Sequence, residues 1–450
     1  MSKIWVSLPQ ISPVQDSIAF AANLEREGKK VIRLNQGAEE TVPTQGALAE
    51  LRQYSGSFDK GYNKAPGGDA KARENAAWFL NRFLGYGIDP ENTFIVMTNG
   101  RNGLHHAFHM AAFDQISAKL EGRSDLSPCV VLPELCWPMV MDAVRENYIT
   151  ETQSFEMVRD GTADAVRTAV AQRITDPLHF AALYTNFPNN PLGLTGSSSD
   201  LRDTNQVLDQ LNVVNMHNGL PKTVHIVDNP YFGGLSQRGK RAKTILRSPY
   251  DGMRDNGTIT PHIYNTSLAK AFALATPGAH IMSFSDSKMA EKYAGSYGKS
   301  RNLLSYDPAA IAAIGGMLSP ANENLIREHF EFLNAKYTRN FEAFSKHLGK
   351  DLLPADPGMV VTTEIPEECL GKSIKCSDGV TREIKSGHDY SEYLGNETGV
   401  IGVDQSISRP SGLSWPLMRW ALKAEDVSLV EEGAERISKA NERLANAPSI

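Results

Sequence analysis

The feature that most constrains the fold is an alternation of short apolar runs with longer amphipathic segments. Strand-like apolar runs occur at 93–97, 129–132, 180–184, 224–227 and 280–284. Segments with helical periodicity separate several of them, at 102–120, 162–173 and 199–211. Short buried strands joined by helices are typical of a mainly parallel sheet covered by helices on both faces. We therefore predict an α/β fold, with any ligand at the carboxyl ends of the strands.

The pattern changes beyond Pro308. A long helix is predicted at 322–349, in which apolar residues recur near the 3.6-residue period at Leu325, Phe330, Leu333, Tyr337, Phe341 and Phe344. Strands at 359–362 and 417–421 and a last helix at 425–444 follow. These elements indicate a smaller α+β domain.

We therefore predict three segments. Residues 1–45 form an N-terminal arm, with a helix at 14–27 and a strand at 30–34, and join the small domain. Residues 46–320 form the large domain and 321–450 the C-terminal small domain. Two stretches, 233–261 and 366–387, are predicted as loops or insertions.

Composition narrows the class of protein. The chain has 450 residues and a net charge of -6, and no dense block of lysine and arginine, which argues against nucleic acid as a partner. No apolar run is long enough to span a bilayer, and residues 1–15 lack the apolar core of a signal peptide. The four cysteines lack the spacing of a zinc or redox motif. We expect a soluble cytoplasmic protein with reduced thiols and no metal site.

Lys270 is the first candidate catalytic residue. A polar run, Asn265-Thr266-Ser267, precedes it, and small and apolar residues follow it. Such surroundings desolvate an amine and lower its pKa, which a lysine needs in order to form a Schiff base. Ser267, one turn earlier, offers a hydroxyl to an anion.

Four further motifs follow predicted strands. Thr98-Asn99-Gly100-Arg101-Asn102-Gly103 is a turn that directs backbone N–H groups at an anion, although such turns are also common as plain connections. Trp137, after the next strand, can stack on a planar ligand or pack in the core. The turn 185–193 contains two prolines around Asn189-Asn190 and can direct the Asn190 amide inward. Asp228 follows a buried strand, where a carboxylate is costly unless it meets a cation.

The order and spacing of these motifs resemble the pyridoxal 5′-phosphate (PLP) enzymes of fold type I, specifically the class I/II aminotransferase family. The most specific parts are 186–193, similar to the family's asparagine-proline turn, Asp228-Asn229-Pro230-Tyr231, and 267–278. The resemblance extends from Asn35-Gln36-Gly37 to the strand that contains Arg419. It implies a PLP-dependent transferase fold.

The resemblance also implies roles at the cofactor. Lys270 would hold PLP as an internal aldimine and then move protons at the substrate α-carbon through a quinonoid intermediate. Asp228 would pair with the pyridinium nitrogen and keep it protonated. Asn190 and Tyr231 would hydrogen-bond the ring oxygen, and Trp137 would stack on the ring.

The phosphate and the substrate would bind at the two ends of the site. The backbone of Arg101 and Asn102 and the Ser267 hydroxyl would hold the phosphate. Gly37, Asn190 and Arg419 would receive the substrate α-carboxylate, which an arginine fork binds bidentately. Tyr62 resembles the tyrosine that reaches the phosphate of a neighbouring subunit, which implies a homodimer.

The chain departs from the family pattern after the lysine. Residues Ala275 and Thr276 look inserted, and His280 stands where the family has a phosphate-binding arginine. Either His280 takes over that contact, or another cation such as Arg101 does. Leu192 and Ala269 also replace residues that the family usually has as threonine and serine.

The favoured function is therefore a PLP-dependent aminotransferase acting on an α-amino acid and a 2-oxo acid. A PLP-dependent lyase, cyclase or β/γ-substitution enzyme remains the alternative, and a non-catalytic PLP-binding sensor is disfavoured because no DNA-binding segment is appended. A nicotinamide dehydrogenase is disfavoured because no glycine fingerprint opens the first helix. The sequence does not identify the amino acid.

Three further features favour simpler interpretations. His105 and His109 have the spacing of a metal pair on a helix, but no carboxylate motif accompanies them. Met139 and Met141 are expected in the core. Arg409 competes with Arg419 as the carboxylate receptor.

Overall fold

The structure is a computed structural model, and the statements below concern the residues that it describes. These are residues 13–37, 67–98, 100–121, 128–147, 149, 151–157, 161–171, 179–232, 257–274, 278–295, 308–406 and 416–449.

The strands are β1 (Ile32–Arg33), β2 (Thr93–Val96), β3 (Pro128–Pro133), β4 (Glu151–Phe155), β5 (His179–Asn186), β6 (Val224–Asp228), β7 (His262–Ser267), β8 (His280–Phe284), β9 (Val360–Glu364), β10 (Lys372–Lys375), β11 (Thr381–Ile384), β12 (Val400–Ile401), β13 (Val403–Asp404) and β14 (Leu417–Ala421). The α-helices are α1 (Pro13–Arg26), α2 (Ala70–Phe79), α3 (Gly100–Leu120), α4 (Pro138–Glu146), α5 (Thr162–Ala171), α6 (Ser198–His217), α7 (Leu268–Ala271), α8 (Ser287–Tyr293), α9 (Pro308–Met317), α10 (Glu323–Leu348), α11 (Gly387–Thr398) and α12 (Val427–Ala445).

A seven-stranded sheet organises the larger part of the molecule, in the order β2-β8-β7-β6-β5-β3-β4. The strands β4, β3, β5, β6 and β7 are parallel, whereas β8 runs antiparallel to both of its neighbours. The predicted α/β fold with a mainly parallel sheet is confirmed. The sequence did not predict β4 and β7, because β4 is a polar edge strand and β7 ends in the polar run Asn265-Thr266-Ser267.

Side chains of the sheet alternate between two buried clusters, one on each face. On β5, Leu183 packs with one cluster and Tyr184 with the other. On β7 the same division separates Tyr264 from Ile263. Because both faces are covered, the strands other than β4 and β7 are apolar almost throughout, which is why their composition alone predicted them.

A three-stranded antiparallel sheet, β13-β14-β9, forms the centre of the C-terminal part. The helices α10 and α12 pack on one another, and Phe344, Trp420 and Ile437 share a buried cluster there. The apolar residues that were predicted to form one face of α10 are buried, with the exception of Leu325. Leu325 is 40% exposed and so does not belong to the buried face. From the N-terminal part, β1 joins this region by pairing with β12 in parallel.

The stretch 366–387, which we predicted as a loop or an insertion, contains an antiparallel hairpin of β10 and β11. Its strands are polar and mostly partly exposed, so they lack the apolar run by which the other strands were recognised. Lys372 Nζ donates a hydrogen bond to the Ala447 carbonyl at 3.1 Å and so connects the hairpin to the end of α12. Of the stretch 233–261, only residues 257–261 are among the described residues.

No helix in the ranges given above is both long and apolar enough to cross a membrane.

Candidate active site

A cavity of ≈ 590 Å³ opens at the edge where β5, β6 and β7 end. Parallel strands present their carboxyl ends at one edge, so residues distant in sequence meet there. The cavity is lined by most of the residues that the sequence singled out: Gly37, Arg101, Trp137, Asn190, Asp228, Tyr231, Ser267, Lys270 and Arg419.

Lys270 lies on α7, a single helical turn that follows β7 directly. Ser267 caps this turn, since its Oγ accepts a hydrogen bond from the Ala269 N–H at 3.4 Å. Burial, followed by the positive charges of Arg419 and Lys423, lowers the pKa of Lys270 to about 8. An appreciable share of the amine is therefore neutral near neutral pH, and the neutral amine is the form that attacks carbonyl groups.

Asp228 ends β6 and is 5% exposed. Tyr184 Oη donates a hydrogen bond to its Oδ2 at 2.9 Å, and Asn265 Nδ2 donates to its Oδ1 at 2.8 Å. Burial outweighs these two neutral donors and raises the pKa of Asp228 to about 7. Within the part of the chain that the structure describes, no cation pairs with this carboxylate. A positively charged ligand at this position would therefore compensate the charge of the carboxylate.

Arg419 lies on β14 and is 3% exposed. Its Nη2 donates to the Asn35 carbonyl at 2.8 Å and its Nη1 to Asn190 Oδ1 at 3.3 Å, while its buried Nε has no hydrogen-bond partner among the described residues. Burial lowers the pKa of Arg419, although a guanidinium remains charged at neutral pH. A buried cation held by neutral acceptors is suited to a carboxylate ligand.

The amino terminus of α3 forms another wall of the cavity, together with Ser267. A Cβ on Gly100 would lie 3.4 Å from Ser267 Oγ, so the helix begins in direct contact with that hydroxyl. The Arg101 side chain is 37% exposed and lies 3.6 Å from Glu146 and 4.0 Å from Asp142, both on α4. A helix amino terminus, a hydroxyl and a guanidinium together favour an anion.

The asparagine-proline turn is attached to the strand ends through hydrogen bonds. Asn186 Oδ1 accepts from the Asn190 N–H at 2.8 Å, and Asn186 Nδ2 donates to the Asp228 carbonyl at 2.8 Å. These bonds fix Asn190 beside the end of β6. Trp137, which immediately precedes α4, and Tyr231 complete the aromatic part of the lining.

The structure does not place His280 or Asn102 among the residues that line the cavity. Asn102 lies exposed on the first turn of α3. His280 is fully buried, and its Nδ1 lies 3.0 Å from the Thr98 carbonyl. Burial lowers the pKa of His280 to about 4, so its ring is neutral at physiological pH. A charged contact between His280 and a phosphate therefore finds no support in this arrangement. Tyr62, Ala275, Thr276 and Arg409 lie outside the described residues.

Several site residues were missed by sequence reasoning. Tyr184 and Asn265, which hold Asp228, are distant from it in sequence and are brought to it by strand pairing. No local sequence pattern therefore identifies them. Asp142 and the first turn of α1 also line the cavity, at Val14 and Gln15. Met139, which we expected in the core, is a lining residue because it lies on the first turn of α4. The sequence signal that could have placed Met139 in the lining is its closeness to Trp137, the residue at the N-terminal cap of that helix.

The helical histidines have ordinary partners. His105 Nδ1 lies 3.1 Å from Glu146 Oε2, and the ring of His109 lies tilted against that of Phe113, with 5.8 Å between the ring centroids. In the described ranges, no three histidine, cysteine or acidic side chains converge as metal ligands would. All four cysteines are buried and free.

Nearly the whole length of the given chain superposes on solved aminotransferases. For aspartate aminotransferase from Rhizobium meliloti, the TM-score is 0.75 at 18% identity, and the match covers 98% of this chain and 99% of that one. For Thermus thermophilus aspartate aminotransferase with maleate, the TM-score is 0.71 at 18% identity, with coverage of 96% and 97%. For an archaeal alanine:glyoxylate aminotransferase, it is 0.70 at 18% identity, with 96% of each chain covered.

At these identities the similarity is one of fold. The chain therefore has the fold of these aminotransferases, and the predicted fold type is confirmed. No protein-family model and no curated protein matches the sequence.

Proposed function

We propose that the protein is a PLP-dependent aminotransferase that acts on an α-amino acid and a 2-oxo acid. The observation that carries the proposal is the convergence of Lys270, Asp228 and Arg419 on one cavity. In the described ranges, none of the three has an ion-pair partner of opposite charge within the protein. Each is matched by a different part of a PLP–amino acid complex: the aldehyde carbon, the pyridinium nitrogen and the α-carboxylate.

The lining residues fit PLP in charge and shape. Asp228, which has no cationic partner among the described residues, suits the ring nitrogen. The face of Trp137 suits the ring itself. The start of α3 at Gly100, the backbone of Arg101 and the Ser267 hydroxyl suit the phosphate. When bound, PLP supplies an electron sink for the electrons released at the substrate α-carbon.

Lys270 serves as the attachment point and as the base in this proposal. Because burial lowers its pKa to about 8, the amine can take a proton from the substrate α-carbon and return it to another carbon. Ser267 fixes the turn that carries Lys270, so the amine is held beside the reacting atoms. Asp228, in its charged form, stabilises positive charge on the ring nitrogen.

Arg419 is the proposed receptor of the substrate α-carboxylate, with Gly37 beside it. Its hydrogen bonds to Asn35 and Asn190 hold the guanidinium plane in place before the substrate arrives, which reduces the ordering cost of binding. Asn190 and Tyr231 are the proposed partners of the ring oxygen.

The charged group that we propose for the phosphate is Arg101 rather than His280. The Arg101 guanidinium lines the cavity, whereas the neutral His280 lies outside the lining. Because Asp142 and Glu146 also attract the Arg101 guanidinium, they orient it at the rim.

A homodimeric assembly and a cytoplasmic location remain predictions. The dimer rests on the motif around Tyr62, and the solution mass of the purified protein, measured by light scattering, tests it. A monomer that still binds PLP tightly would remove the proposed role of Tyr62.

Single-turnover spectroscopy tests the proposed reaction. Purified protein loaded with PLP is mixed with a panel of amino acids, and its visible absorbance is followed. A transaminase converts its cofactor to the pyridoxamine form, and a 2-oxo acid restores the original spectrum. If a processed amino acid always returns the original spectrum without a 2-oxo acid, the enzyme is a lyase or a substitution enzyme. Failure to bind PLP would overturn the proposal as a whole.

A further inference from the structure

Two buried acceptor atoms meet behind the wall of the cavity. Asn265 Oδ1 and His280 Nε2 have no hydrogen-bond partner among the described residues. Both face the same point beside Gly103 on α3: a Cβ there would overlap Asn265 Oδ1 and come within 2.9 Å of His280 Nε2. The two atoms therefore lie within about 5 Å of one another, a separation that a single water molecule can bridge.

The surrounding bonds fix which hydrogens these side chains carry. The Asn265 Nδ2 group donates to Asp228 Oδ1 at 2.8 Å and to the Gly100 carbonyl at 3.2 Å, so the amide oxygen must point towards Gly103. His280 Nδ1 faces the Thr98 carbonyl, which only accepts, so Nδ1 carries the hydrogen. In the neutral ring, Nε2 is then an acceptor. Two acceptors that face one another require a shared donor.

We propose that Asn265 Oδ1 and His280 Nε2 share one buried water molecule beside Gly103. This water completes a hydrogen-bond chain from Thr98 through His280 and Asn265 to the Asp228 carboxylate. Asn265 and His280 are thus positioning residues for Asp228. Glycine at position 103 is required because a Cβ there would overlap the Asn265 side-chain amide. The importance of the chain for catalysis rests on the proposed function, whereas the chain itself does not.

The consequence for Asp228 follows from the polarisation of linked hydrogen bonds. A water that donates to Asn265 Oδ1 makes the Asn265 amide a stronger donor to Asp228, which favours the charged carboxylate. The other titratable groups that face Asp228 are Tyr184, which donates a hydrogen bond to it, and Tyr86 and Tyr231, whose pKa values are raised by burial and by the charge of Asp228. The hydrogen bond from Asn265 Nδ2 to Asp228 Oδ1 is the link by which a change at His280 would reach Asp228.

Two substitutions at one position separate this role from simple packing. An asparagine at 280 can replace the Nδ1 bond to Thr98 but is too short to reach the position of Nε2. A glutamine can place its amide near Nε2 but loses the bond to Thr98. We expect His280→Asn to raise the proton affinity of Asp228 roughly threefold, and His280→Gln to change it less.

The proton affinity is measured by infrared titration of the carboxyl band in the full-length protein without added cofactor. The Asp228→Asn variant identifies the band, and circular dichroism confirms that each variant is folded. An Asp228 titration in His280→Asn that matches the parent overturns the proposal, as does a shift in His280→Gln that equals or exceeds the shift in His280→Asn. Because no cofactor is present, this outcome is independent of whether the protein is a PLP enzyme.

A high-resolution crystal structure of the unaltered protein gives a second test that needs no variant. We expect density for one ordered water within hydrogen-bond distance of both Asn265 Oδ1 and His280 Nε2. Absence of that density overturns the proposal.

Discussion

Two aspartates of this chain, Asp228 at the cavity and Asp378 in the β10–β11 hairpin, have opposite environments. Asp378 is partly exposed and paired: Arg382 Nη2 lies 2.8 Å from its Oδ2, and the Val380 N–H donates to its Oδ1 at 2.9 Å. The Arg382 hydrogen bond, followed by that from Val380, lowers the pKa of Asp378 to about 2. Asp228 is buried among neutral donors, and burial raises its pKa to about 7.

The two environments distinguish a carboxylate whose charge is compensated by a cation within the hairpin from one whose charge has no cationic partner among the described residues. Asp378 has found its cation within the hairpin, so its charge is already compensated. Asp228 is held by Tyr184 and Asn265 in a place where its charge is costly until a cation arrives. Strongly perturbed acids in a cavity are typical of functional sites. The following predictions test this contrast, in order of decreasing effect.

The largest effect is expected for Lys270→Ala. Without the amine, neither covalent attachment of PLP nor proton transfer by this side chain is possible, so turnover should fall by at least about 10³-fold. Borohydride reduction of the loaded parent protein, followed by peptide mapping, should place the pyridoxyl group on Lys270. A label on any other lysine would contradict the assignment.

Asp228→Asn should retain the fold and bind PLP but lose most of the electron-sink effect. We expect a rise in the activation barrier on the order of several kcal/mol, measured as kcat in steady-state assays. Asp378→Asn is the matched control, because the same chemical change at a paired surface acid should leave kcat unchanged. Near-parental turnover of Asp228→Asn would refute the role of Asp228 at the ring nitrogen.

Arg419→Ala should weaken binding of the amino acid by roughly 2 to 5 kcal/mol, as expected when one partner of a buried charge pair is removed. The measurement is a spectroscopic titration of the PLP-loaded variant with amino acid. Arg382→Ala serves as control, since it removes an arginine whose partner is Asp378. Unchanged affinity in Arg419→Ala would move the role to another residue, such as Arg409.

The smallest effect concerns stability against pH. Because the folded-state pKa of Asp228 is raised to about 7 from an ordinary 3.8, the folded protein is destabilised as pH rises through this interval. Asp228→Asn should therefore increase the free energy of unfolding at pH 8 by about 2 to 4 kcal/mol relative to the parent, with no gain at pH 4. Urea unfolding without cofactor measures it.

In the control variant for this experiment, Asp378→Asn, the expected change in the free energy of unfolding has the opposite sign. The pKa of Asp378 is lowered from its ordinary value, so its contribution stabilises the fold above pH 3.8 and is lost as pH falls through about 2. Asp378→Asn should thus decrease stability slightly at neutral pH, with a small effect because the pair is partly exposed. A gain in stability for Asp378→Asn at pH 8 would show that the contrast between the two acids is wrong.

The strand ends were predictable from the sequence because each apolar run stops at a polar residue. Asp228 was found in this way, whereas Ser267 was found from its place one turn before Lys270 and Asn190 from the proline-flanked turn after β5. The strands that precede them meet at one edge because they are parallel. Arg419, in the strand 417–421, was singled out because the resemblance to the aminotransferase family implies a carboxylate-binding arginine there.

The partners of these residues were not predictable, because they depend on strand register. Asp228 lies opposite Asn265 on β7 and Asn186 on β5, and no spacing within one segment encodes that pairing. His280 shows the same limit. It lies opposite Ser267 at the site edge, as its sequence position suggested, but its ring points to Asn265 and Gly103 behind the cavity. The sequence position of His280 indicated the edge of the sheet at which it lies. The direction of its ring could be known only from the folded structure.

The pairing of Arg419 with Asn35 sets the order in which the molecule can mature during synthesis. Asn35 leaves the ribosome early, but its carbonyl receives the Arg419 guanidinium only when the chain is nearly complete. By then β2 to β8, with Asp228 and Lys270, have already been synthesised. A nascent chain could therefore assemble the cofactor end of the cavity while it still lacks the arginine proposed to bind the substrate. Recognition of the amino acid would be the last capability that the growing protein acquires.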